Sequence, residues 1–170
     1  MSVLRARRPL AAALVAALGA CAATGPQTFP PGSNVGTVTQ GMGAPTGEYP
    51  LPSGGRRLEY WLGPYARQTY MLDFDASGRL LRSEQVLTEG HFNAILAGMS
   101  SAEVLSRIGR PATTWPIPRQ QQLVWSYRYQ SPFCQWFMVG MGPDNRVVDT
   151  SYGPDPLCEP DDFFSRFRMR

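Results

Sequence analysis

The chain has no lysine, one histidine and only three cysteines in 170 residues. Each shortage excludes something. His91 is the only imidazole, and with two cysteines in the body of the chain it falls short of a four-ligand zinc site. There is no Gly-x-Ser-x-Gly elbow and no His-Glu-x-x-His helix. No apolar run reaches the roughly 20 residues that a membrane-spanning helix needs. No basic run carries interleaved aromatics, so nothing in the sequence points to nucleic acid. Metals, cofactors and catalysis are therefore not expected.

What is present begins at the N-terminus, MSVLRARRPLAAALVAALGAC. Arg5, Arg7 and Arg8 precede an apolar or small stretch of 12 residues, Pro9 to Ala20. That order suits a secretory signal. The stretch ends Leu18-Gly19-Ala20-Cys21, which looks like a bacterial lipobox. By that resemblance, residues 1–20 are removed and Cys21 is acylated. Several acyl chains on one residue hold a protein stably at a membrane. Ala22, not aspartate, follows the cysteine, which implies sorting to the outer membrane and a periplasmic face. Three of the 16 arginines leave with the signal, so 13 remain against 13 acids. The basic pI of about 9.0 is largely a targeting effect. Residues 21–34, rich in Pro, Gly and Thr, read as a tether. In an oxidising compartment Cys134 and Cys158 are expected to form a disulfide.

The body of the chain repeats itself. GAPTGEYPLP (43–52) returns as GRPATTWPIP (109–118), 66 residues on. YMLDFDASGRLLRS (70–83) matches FMVGMGPDNRVVDT (137–150), and RRLEYWL (56–62) resembles QQLVWSY (121–127) at an offset of 65. Two units follow, 35–88 and 89–156, with a tail at 157–170. In the second, Ser100 and Glu103 form a capping box, Val104, Leu105 and Ile108 share a helix face, and Gly109 with Pro111 ends the helix. The first copy, NVGTVTQGMG, is a poorer helix because of Gly36 and Gly41. Another helix is expected over 89–97, with Phe92, Ile95 and Leu96 facing the core. Then come a proline-rich loop, whose aromatic (Tyr49, Trp115) plugs the helix–sheet core, and three strands. These are expected at 57–62, 67–74 and 79–87, and at 122–129, 134–141 and 146–151. Alternation along Thr69–Phe74 predicts one buried face. The fold class is α+β, each unit carrying one or two short helices on a three-stranded antiparallel meander.

ILAGMSSAEVLSRIGRP (95–111), with the WSY at 125–127 and the strand–turn–strand at 137–150, resembles the SmpA/OmlA (BamE-like) domain. The first unit is a degenerate match from about residue 37. Two such units in tandem are similar to the arrangement in beta-lactamase inhibitor proteins. The resemblance implies a small outer-membrane lipoprotein that works through other envelope proteins, with outer-membrane protein assembly as one role.

Other candidate chemistry is weaker. His91 stands near a helix start, and Ser100 is explained as a cap. Asp73 and Asp75 read as a solvated strand edge before a turn. Asp155, Glu159, Asp161 and Asp162 lack the spacing of an EF-hand loop. The aromatics of the first and second strands are too many for one covered face. Trp61, Tyr65, Arg67, Trp125, Tyr127, Arg128 and Trp136 are therefore the candidate binding surface. Two functions fit: a non-catalytic scaffolding module for envelope proteins, or a periplasmic inhibitor or ligand-sequestering protein. In the tail, Phe163, Phe164 and Phe167 would dock on the sheet or touch the membrane.

Overall fold

A computed structural model describes residues 29–158. The signal, Cys21 and most of the tether lie outside them, as do residues 159–170. The element order is α1 (Val35–Met42), β1 (Gly47–Pro50), β2 (Arg56–Trp61), β3 (Thr69–Phe74), β4 (Leu80–Gln85), α2 (Glu89–Phe92), α3 (Ser101–Ile108), β5 (Thr113–Ile117), β6 (Gln122–Arg128), β7 (Gln135–Met141) and β8 (Val147–Pro154). The fold is α+β, with two four-stranded antiparallel sheets, β1-β2-β3-β4 and β5-β6-β7-β8.

The repeat is visible bond by bond. Asn34 caps α1 and Ser100 caps α3, the latter in the expected capping box with Glu103. Both helices are eight residues long, so Gly36 and Gly41 do not shorten the first. Gly41 has a local reason, since a Cβ there would meet the Phe29 ring at 2.7 Å. Gly32 N–H donates to Leu80 O at 2.7 Å, and Gly98 N–H to Val147 O at 2.7 Å. Tyr60 Oη donates to Gly43 O at 3.4 Å, and Tyr127 Oη to Gly109 O at 3.2 Å. Strand registers shift at Asp73/Phe74 and again at Gly140/Met141. These pairs make Tyr60 the equivalent of Tyr127, so the β2/β6 offset is 67 residues and not 65. Phe29, packed on the first core, and Gly32 show that the expected tether ends before residue 29.

Several expectations need correction. Each proline-rich stretch is an edge strand, not a loop, so the meanders have four strands. Proline lacks a donor and is tolerated at a sheet edge, and Pro50 and Pro116 sit in β1 and β5, which pair on one side only. Strand alternation sends Tyr49 and Trp115 to the sheet face opposite the helix-covered core, so neither plugs it. The helix after residue 88 is four residues, and Leu96, 60% exposed, leaves the core while Phe92 and Ile95 remain in it. β3 is buried along its whole length, on both faces.

One face of the first sheet carries Leu58, Tyr60, Leu72, Phe74 and Leu80 against Val38 of α1. The equivalent face of the second carries Tyr127, Phe137, Val139 and Met141 against Val104 and Ile108 of α3 and Phe92. The outer face of the first sheet is covered by the C-terminal end of α3. Arg57 Nη1 donates to Ser106 O at 2.8 Å, and Arg110 N–H donates to Glu59 Oε1 at 2.8 Å. Glu59 is fully buried and also accepts from Tyr49 Oη at 2.8 Å. Asp73 is not a solvated strand edge. It is buried, bonded to Arg57 at 2.6 and 2.9 Å and to Arg82 at 2.8 Å. Burial alone would raise its carboxyl pKa; the two guanidinium groups outweigh that and hold it below the ordinary aspartate value. Asp75 is the turn residue expected, accepting from Ser77 and Arg79 N–H at 2.8 and 2.9 Å.

Two predictions follow from this covered face. Gly43 and Gly109 share a backbone region open essentially to glycine, φ 85° with ψ −172° and φ 76° with ψ −164°. A Cβ on Gly43 meets nothing within 4 Å, whereas one on Gly109 meets Glu59 Oε1 at 2.8 Å and Thr69 Cγ2 at 2.9 Å. Gly43→Ala should cost about 1–3 kcal/mol from backbone strain, and Gly109→Ala about 1 kcal/mol or more beyond that from the forced contact. Urea unfolding measures both, and equal costs would contradict the seating of α3. Asp73 is lowered in the folded state, so its stabilisation is complete above the unfolded aspartate pKa. It is lost as the pH falls through the folded value. Asp73→Asn should remove that acid-limb loss and lower stability at neutral pH by about 3–5 kcal/mol, the usual cost of breaking a buried pair.

Candidate functional site

The two outer faces can be read row by row, because cross-strand neighbours are fixed by register. Across the first sheet run Tyr49, Arg57, Asp73 and Arg82; across the second, at the matching positions, Trp115, Val124, Gly140 and Asp149. The neighbouring row is Gly47, Glu59, Met71 and Glu84 in the first, and Thr113, Ser126, Met138 and Ser151 in the second. The first sheet spends its row on ion pairs that seat α3. The second has lost both arginines and the buried aspartate from those places. Its outer face is left with an open groove of about 440 Å³, lined by Trp115, Val124, Met138, Gly140 and Asp149 among others.

The groove has an apolar floor and an oxygen-rich side. Val124 and Met138 lie on neighbouring strands, two residues out of register, and Ile117 lines the rim. Trp115 stacks on Trp136 with ring centroids 5.1 Å apart. That pair lies beside the buried Ser126, whose hydroxyl donates to Thr113 O at 3.1 Å. A Cβ on Gly140 would meet Asp149 Oδ1 at 2.4 Å and Gln122 Oε1 at 3.1 Å, so both side-chain oxygens lean over this one glycine.

The candidate surface read from sequence is divided. Tyr127 is buried under α3, and burial pushes its phenol pKa well above the ordinary tyrosine value. Trp125 packs against the same core. Both lie on the helix-covered side of the sheet. Arg128 and Trp136 are on the outer face but largely buried. Arg128 Nε lies 3.1 and 2.9 Å from the Asp155 carboxylate oxygens, and its Nη1 donates to Pro64 O at 2.7 Å. Its guanidinium stands 5.2 Å from the Trp136 ring and 6.0 Å from Tyr65. Asp155 is thus a buried partner of Arg128, not part of a calcium cluster; Glu159, Asp161 and Asp162 lie outside the described residues. Trp61 is half-buried, its backbone N–H donating to Thr46 Oγ1 at 3.0 Å. Tyr65 is 75% exposed, and Arg67 Nη2 is 3.8 Å from Cys158 Sγ. Cys134 and Cys158 form the expected disulfide, which ties the end of β8 to the start of β7.

His91 lies between Thr88 Oγ1, 2.8 Å from Nδ1, and Glu84 Oε1, 3.1 Å from Nε2. The order hydroxyl, imidazole, carboxylate is that of a triad. Thr88, however, is the N-cap of α2, and its hydroxyl accepts from His91 N–H. None of the three lines the groove. The residues that do line it were missed because none is a catalytic or strongly charged type apart from Asp149. The available signal was a difference between repeats: glycine at 140 where the first unit has Asp73, valine at 124 where it has Arg57.

No protein-family model and no curated protein matches the chain. Among solved structures it is similar to a cysteine-rich secretory protein from Staphylococcus aureus, at 10% identity over 74% of this chain and 45% of that one, with a TM-score of 0.28. It is also similar to a DUF4309 family protein from Bacillus subtilis, at 11% identity over 72% of this chain and 79% of that one, with a TM-score of 0.29. A third is an extracellular protein containing a SCP domain from Bacillus anthracis, at 8% identity over 91% of this chain and 51% of that one, with a TM-score of 0.33. The chain spans about half the length of the Staphylococcus and third, Bacillus anthracis, proteins.

Proposed function

We propose that the protein is a non-catalytic, lipid-anchored module on the periplasmic face of the outer membrane. Built of two SmpA/OmlA-like units, it holds other envelope proteins during outer-membrane or envelope assembly. The observation that carries this reading is the groove on the second sheet. The equivalent face of the first sheet is filled, within the same chain, by a protein segment: the end of α3. A face that serves as a protein–protein contact in one unit, and stands open and partly apolar in the other, is suited to the same use with a partner. The lipobox supplies the location, and the signal supplies the export that a disulfide needs.

Two experiments test it. Photo-crosslinking from position 151, on the groove side of β8, in intact envelopes is expected to trap membrane-associated envelope proteins, with Trp115→Ala abolishing the adduct and leaving the fold intact by circular dichroism. Adducts that persist in that variant would remove the groove from the function. A single soluble enzyme as the adduct would favour the inhibitor reading. Cys21→Ser should move the protein from the membrane to the soluble periplasmic fraction; unchanged membrane retention would remove the anchor.

A further inference from the structure

The groove's chemistry differs from that of its counterpart, and the difference specifies what it takes. We propose that it docks a partner-protein segment through one basic side chain, arginine or lysine, laid across the sheet with its head at Asp149. This rests on the reading of the groove as a protein-binding face and names what that face selects.

The first sheet shows what its own version of the row selects. There Arg57 spans to a helix-end carbonyl, with Asp73 and Arg82 fixing it from behind. The row is a donor aimed at an acceptor. In the second sheet the same places hold Val124, Gly140 and Asp149, so the donor is gone and an acceptor stands in the place of Arg82. The Asp149 carboxylate is exposed, and no ion pair or hydrogen bond engages it among the described residues. Arg128, on this same outer face, is taken by Asp155, and Arg57 and Arg82 belong to the other sheet. Asp149 Oδ1 and Gln122 Oε1 converge over Gly140 and take up the space a side chain there would need. Two oxygens set side by side at the groove wall suit a group with several N–H donors, and a charged donor gives the strongest such bonds.

The rest of the groove suits the stem of the same side chain. Arginine and lysine lay three or four methylenes along apolar surface while the head stays polar. Val124 and Met138 provide that floor between Trp115 and Asp149. Trp115 adds a ring wall. The stacked Trp115–Trp136 pair already holds one guanidinium, that of Arg128, 5.2 Å from Trp136, so the indoles are placed for a second on the groove side. An acidic side chain would instead meet Asp149 with no cation to offset it. An uncharged segment would leave its head unmatched.

The test is a random dodecapeptide library displayed on phage, selected against the full acylated chain in detergent. The expected result is enrichment of peptides with arginine or lysine next to aliphatic residues. Their synthetic versions should bind at least about tenfold more weakly to Asp149→Asn, the scale of a lost charge-assisted hydrogen bond. Val124→Glu and Trp115→Ala should weaken them as well, and amide chemical shifts of Asp149→Asn should stay native away from the groove. Groove-dependent peptides that lack a cation, or that bind Asp149→Asn unchanged, overturn the basic-side-chain assignment and leave the docking reading standing. Failure to select any peptide sensitive to Val124→Glu or Trp115→Ala overturns both. Self-association that Asp149→Asn abolishes, or tighter peptide binding when Arg166, Arg168 and Arg170 become glutamine, gives the groove to a second copy or to the chain's own tail. Either outcome overturns the partner assignment.

Discussion

The contact on which the rest depends is the end of α3 resting on the outer face of the first sheet. Three hydrogen bonds define it, Arg57 to the Ser106 carbonyl, the Arg110 N–H to Glu59 and Arg110 Nη2 to the Thr46 carbonyl. A helix C-terminus presents carbonyls without intrahelical partners and carries partial negative charge, so a guanidinium is the fitting cap. This contact turns two similar units into one body. It also buries β3 on both faces and decides which sheet has a face to spare.

A fully buried glutamate is costly unless its oxygens are engaged. Glu59 has the Arg110 N–H on one oxygen and the Tyr49 hydroxyl on the other, with Arg110 Nε 3.9 Å away. Burial and the adjacent carboxylate together raise the Tyr49 phenol pKa, so it stays a neutral donor. Two glycines make the room, since a Cβ on Gly47 or Gly109 would meet the Glu59 oxygens at 2.5 or 2.8 Å. At the matching place in the second sheet Ser126 satisfies itself on Thr113 and needs nothing from outside. The two faces thus differ at matched positions. One carries ion pairs in this row and has an internal partner; the other has neither arginine nor buried aspartate in this row and is open.

That difference explains why the aromatic residues misled. Trp125 and Tyr127 attract attention as exposed recognition groups, yet the first packs on the core and the second is buried, donating to Gly109. Trp136 is on the outer face, but its ring is occupied by Arg128 and Trp115. The surface left available is made of small and aliphatic residues with one acid. Its character comes from what is missing at position 140.

Sequence alone determined the local structure and the duplication. Ser100 with Glu103 and Gly109 mark one helix, alternation marks β3, and matched prolines mark the two units, because capping, pleat and backbone restriction act within a few residues of each other. The cysteine pair was legible for a similar reason, from compartment and count. Pairing the proline stretches as edge strands was not legible, since a strand is defined by a neighbour distant in the chain. Nor was the burial of Asp73, which depends on Arg57 and Arg82 across the sheet and on a helix of the other unit. Tertiary structure alone decided which face was covered, because the end of α3 fits one sheet and its counterpart, at Ala44, has no sheet to rest on. The open groove over Gly140 is the remainder of that choice.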